Sequence, residues 1–141
     1  MCMAIYLAAD EPLPLLNDHS GATFYTVPLR DKNDEAVRRH FTKRHVVYAG
    51  SFEGCGCGFF KLEHAEYAEA EEVESCRHSL SALATYVSNA LRQGASMELF
   101  TCWEGDQAQS AIHRGVLTPP EIAAGALKWD SREFFTIQPA A

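Results

Sequence analysis

Two cysteines separated by a single glycine, Cys55-Gly56-Cys57, stand in the stretch with the most unusual composition in the chain. Four of the nine glycines and two of the five cysteines fall between Gly50 and Phe60. Paired thiolates are soft ligands, and zinc seeks four donors in a tetrahedron. The remaining donors would come from His64, His45, Cys2 or Cys102. Cys55, Cys57 and His64 form the candidate metal set, with zinc as the candidate ion. The spacing departs from the two to four residues usual between paired zinc cysteines, and the chain has no second close cysteine pair.

Vicinal thiols also suit redox or nucleophilic chemistry. No adjacent Lys or Arg favours the thiolate, and Glu53 opposes it. The glycines admit a third chemistry. As a strand, Gly54-Cys55-Gly56-Cys57-Gly58 puts both cysteines on one face and bare backbone on the other, open to a backbone, a ring or a ligand. As a turn, the same glycines permit positive φ and an anion-binding nest of N–H groups. Gly54, Gly56, Gly58 and Ser51 are the candidate ligand-binding residues. Beside these readings stands a plain one, in which Cys55 and Cys57 are small core residues beneath a helix, since cysteine is among the most buried residue types. Cys2, Cys76 and Cys102 sit in apolar patterns and read as core. No nucleophile elbow, phosphate-binding loop or dinucleotide fingerprint is present, so no catalytic residue is assigned. The alternative function is an interaction or dimerisation module with no catalytic role, in which two backbones pack on the glycine face.

These residues need a scaffold, and the hydrophobic pattern supplies one. Cys2–Ala8 reads as a strand buried on both faces, followed by a proline-containing loop from Glu11 to Gly21. Phe24–Leu29 reads as a strand that ends at Pro28 or lies at an edge. Asp31–Phe41 has acidic residues first and basic ones last, as a short helix favours. His45–Ala49 is a strand that leads into the glycine-cysteine stretch, and Cys57–Leu62 reads as another. Glu66–Gln93 is the long helix, with Val73, Cys76, Leu80, Leu83, Val87 and Ala90 as its buried stripe. Met97–Trp103 and Glu133–Ile137 are strands. The segment 107–115 fits a short helix or a strand. Thr118-Pro119-Pro120-Glu121 opens a helix expected over Ile122–Lys128, through a capping box. The expectation is one α+β domain over residues 1–141. It is a sandwich with a mixed or antiparallel sheet and two main helices on one face, the first and last strands extending a ferredoxin-like βαββαβ order.

The net charge of −7 argues against nucleic-acid or anionic-membrane partners, which need a basic face. The basic run Arg38, Arg39, Lys43 and Arg44 reads as a solvated helix end. No segment reaches the ~20 apolar residues of a membrane span, and the N-terminal segment is a poor export signal. Without export, the five cysteines are expected as thiols in a reducing compartment, the cytoplasm. The run from Tyr48 to Phe59, with Met1-Cys2-x-Ala4-x-Tyr6-Leu7-Ala8, resembles a group of small bacterial proteins without an assigned activity. That resemblance implies a bacterial cytoplasmic protein.

Overall fold

The computed structural model describes residues 2–16 and 22–140. The polar end of the expected first loop, residues 17–21, lies outside them. Six strands build one sheet: β1 (Met3–Ala9), β2 (Phe24–Pro28), β3 (His45–Ser51), β4 (Met97–Trp103), β5 (His113–Leu117) and β6 (Glu133–Ile137). Their order across the sheet is β2-β3-β1-β4-β6-β5. Neighbours are antiparallel, except that β5 runs parallel to β6. This is the α+β architecture that the alternation of strand and helix patterns led us to expect.

β1 holds the centre, and its composition explains why. Seven residues without a charge are each fully buried, as a strand covered on both faces requires. The expectation that the first strand extends one side of the sheet is therefore corrected. β2 lies at the edge, consistent with Pro28, whose missing N–H would break an inner ladder.

The expected helix over Asp31–Phe41 is a single turn, α1 (Lys32–Glu35), continued by a 3-10 turn at Ala36–His40. The side chain of Asp31 caps it, accepting from the N–H of Asp34 at 3.0 Å. α2 (Ala70–Arg92) is the long helix, and α3 (Pro119–Ala123) begins with the Thr118–Glu121 capping box. α2 and α3 share one face, with Ile122 in the core beneath α2, whereas the helix expected at Asp31–Phe41 lies on the other. Cys76, Leu80, Leu83 and Val87 of α2 pack with Met3, Ile5, Leu7 and Ala9 of β1. Val37, just after α1, packs with Ala4, Tyr6 and Ala8 on the opposite face. The alternation of β1 thus feeds two cores, one on each side of the sheet.

The strand expected at Cys57–Leu62 is absent. Gly56–Phe59 and Lys61–Tyr67 are 3-10 turns instead. The reason is topological: β3 already has β1 on one side and β2 on the other, so a chain returning from it finds no edge to join. The βαββαβ order fails with that strand. The long helix starts at Ala70 rather than Glu66, because its apolar stripe begins only at Val73 and Tyr67 stays exposed.

Candidate metal centre

The sulfurs of Cys2, Cys55 and Cys57 all lie within 4.8 Å of one another. Three local features bring them together. Cys2 precedes β1, and its carbonyl accepts from the N–H of Glu104 at 2.7 Å, extending the β1–β4 ladder by one residue. The antiparallel register of β1 and β3, with Ile5 opposite Ala49, carries this end of β1 to the point where β3 runs into the glycine-cysteine turn. That turn is folded around Ser51. The buried hydroxyl of Ser51 donates to the carbonyl of Cys55 at 2.6 Å, and accepts from the N–H of Gly58 at 3.0 Å and of Glu53 at 3.3 Å. The N–H of Ser51 also donates to the Cys55 carbonyl.

The glycines serve close packing within the chain. A side chain at Gly56 would stand 2.6 Å from the carbonyl oxygen of Met3, and one at Gly58 would stand 2.3 Å from the Ser51 hydroxyl. The ring of Tyr25 occupies the space that a side chain at Gly50 would need, across the β2–β3 pair Tyr25↔Gly50. Gly54 has φ +80 and open space around it, the left-handed conformation that glycine adopts without strain. The bare backbone is therefore approached closely, as the alternation argument required, but by Met3, Ser51 and Tyr25. Of the four candidate ligand-binding residues, Gly56 and Gly58 are buried within the turn, Ser51 is its hub, and Gly54 alone faces open space.

The sulfur of Cys57 is the focus of the cluster. It accepts from the main-chain N–H of Met3 at 3.3 Å. The thiol of Cys55 donates to it, which outweighs burial and, with the contributions of Met3 and the Cys2 thiol, lowers Cys57 from 9.0 to about 6; nearby Glu53 opposes the shift. Cys55 moves the other way, pushed up by its hydrogen bond to Cys57 and then by burial. The Cys57 sulfur is thus the acceptor for two thiols and a backbone amide. Cys57 is buried, whereas Cys2 and Cys55 are half-buried.

His64 is exposed in the 3-10 segment and does not join the cluster. Cys2 takes the third place that sequence reasoning gave to His64. Cys76 and Cys102 are fully buried, one in each core, as expected. Burial pushes both thiols up, Cys102 to about 12.

A charged network stands on the other face of the sheet, behind the cluster. Buried Asp34 accepts from the Tyr6 hydroxyl at 2.5 Å and from both the main chain and the guanidinium of Arg30 at 2.7 Å. Arg30 stacks 3.8 Å over the Tyr48 ring and pairs with Glu104 at 3.0 Å. Glu104 is also the residue whose N–H holds Cys2, so the network is continuous with the cluster through one backbone. A cavity of about 1080 Å³ lies elsewhere, between residues 11–16 and α2, and none of the three cysteines lines it. No helix among the described residues is long and apolar enough to cross a membrane. Comparison with protein-family models, with curated proteins and with solved structures found no match.

Proposed function

We propose that this protein binds one thiophilic metal ion through Cys2, Cys55 and Cys57, with zinc as the first candidate. The observation that supports it is the mutual approach of three sulfurs within 4.8 Å, drawn from two segments far apart in sequence. Around an ion with metal–sulfur bonds of about 2.3 Å, sulfurs sit roughly 3.8–4.0 Å apart, so the cluster needs to contract by less than about 1 Å. Three thiolates select soft ions, zinc or Cu(I). With zinc they leave a fourth position for water or a substrate, the pattern of exchangeable and catalytic sites rather than closed structural ones. All five cysteines are free thiols, which suits a reducing compartment such as the cytoplasm.

Titration of reduced, metal-free protein with Zn(II) against a chromogenic chelator tests the reading. One equivalent is expected to bind. Cys2→Ser, Cys55→Ser and Cys57→Ser should each abolish tight binding, while His64→Ala should leave it unchanged. Uptake below about a tenth of an equivalent of both Zn(II) and Cu(I) would exclude the reading, as would uptake indifferent to Cys57→Ser.

A further inference from the structure

We infer that the metal-free cluster is a two-electron thiol switch, in which Cys2 and Cys55 close a disulfide on reaction with hydrogen peroxide. The switch concerns the same three residues but stands without the metal. Only its consequence, release of the ion, rests on the metal reading.

The geometry selects the pair. Cys2 and Cys55 are half-buried, so a small oxidant reaches them, whereas Cys57 is 7% exposed and Cys76 and Cys102 are fully buried. The Cys2 and Cys55 sulfurs already lie within 4.8 Å. A disulfide requires an S–S bond of about 2.05 Å and a dihedral near about 90°, so one sulfur must move. The movement falls to the half-buried Cys55 side chain, since its carbonyl is fixed by Ser51 and the Gly54 carbonyl by Tyr25. A Cys55–Cys57 bond would instead have to fold the chain at Gly56, which is pressed against the Met3 carbonyl. The Met3 N–H also holds the Cys57 sulfur in place.

The chemistry balances with the peroxide as sole oxidant. The Cys55 thiol first gives its proton to solvent, and the thiolate so formed attacks one peroxide oxygen. An S–O bond forms, the O–O bond breaks, and the hydroxide that leaves recovers that proton from solvent as one water. The Cys2 sulfur then attacks the sulfenic sulfur. An S–S bond forms, the S–O bond breaks, and a second water carries off the Cys2 proton. Two thiols are oxidised to one disulfide, one peroxide is reduced to two waters, and Cys57 is left as a single sulfur that cannot hold the ion alone.

The test is hydrogen peroxide added to reduced, metal-free protein, followed by acid quench, alkylation and peptide mapping by mass spectrometry. The expected product joins the Cys2 and Cys55 peptides, leaves Cys57, Cys76 and Cys102 alkylated, and returns to five titratable thiols with a dithiol reductant. Cys57→Ser should form the same link while losing zinc uptake, so the switch and the metal reading fail separately. A Cys55–Cys57 link, a link between two molecules, sulfinic or sulfonic acid without a link, or no oxidation at all would each overturn the inference, and the wild-type map alone decides among them.

Discussion

Tyr25 and Gly54 are joined by a hydrogen bond of 2.6 Å, the phenol donating to the carbonyl of the residue just before Cys55. The ring fills the space left by Gly50, and the hydroxyl reaches on to the turn. Tyr25 thus latches the loop that carries one of the three sulfurs. Outer contacts of this kind typically change metal affinity 10- to 100-fold, and the partly exposed site of this bond places it at the low end. Tyr25→Phe keeps the ring and removes the latch. Zinc affinity in a chelator competition should fall about tenfold with the fold intact, whereas a change under about twofold would remove Tyr25 from the site.

Gly56 tests the packing that sets Cys57 against β1. In Gly56→Ala the new methyl meets a backbone oxygen 2.6 Å away, and backbone cannot yield as a side chain tip does. Overpacking of this kind costs about 1–3 kcal/mol. Urea unfolding should show that loss, and Cys57, pushed away from the Met3 N–H, should be alkylated faster. A variant as stable as the wild type, with unchanged alkylation, would mean that the turn does not press on β1.

The ladder elements were legible because their signals are local. The apolar run of β1, the stripe of α2, and the strands at Met97–Trp103 and Glu133–Ile137 follow from residue pattern and stop signals alone. The composition of Cys57–Leu62 suits a strand, but a strand there needs a free neighbour beside β3, which local composition does not report. The site was half legible. Cys55 and Cys57 stand out by spacing, but Cys2 is separated from them by more than fifty residues and joins them only through the β1–β3 register. An antiparallel β1–β3 pair with Ile5 opposite Ala49 sets Cys2 at the mouth of the turn. His64 is near in sequence, but the 3-10 segment turns it outward. In the Tyr6–Asp34–Arg30 network, Arg30 and Asp34 stand four residues apart, but Tyr6 and Glu104 join them only through the fold and carry no spacing signal.

Asp34 predicts an acid limb. Burial pushes its carboxyl up, but the hydrogen bonds from Arg30 and Tyr6 outweigh burial and hold it below the usual carboxylate range. A depressed folded pKa means that this contribution is complete above the unfolded value of about 3.9 and is lost as pH falls through the lower folded value. Urea unfolding across that acid range should show stability falling with pH. Asp34→Asn should flatten this slope, and at neutral pH should cost about 2 kcal/mol through the lost charge-assisted bonds. An unchanged acid slope in the variant would assign the limb to other carboxylates.

Cys57 predicts a slope of its own at higher pH. With its folded value lowered to about 6 and an unfolded thiol near about 8.5, the unfolded chain binds more protons between these limits. Stability of the metal-free protein should therefore rise as pH goes from 6 toward about 8.5. Cys55 reverses the sign above that point. Its folded value is raised, so the native state holds a proton that the unfolded chain releases, and stability should fall again. The thiolate ultraviolet absorbance of the metal-free protein should show one ionisation near pH 6. Cys55→Ala removes the largest donor to that thiolate and should move the step upward. A step that stays in place in Cys55→Ala would mean that the Met3 amide, and not the neighbouring thiol, sets the acidity of Cys57.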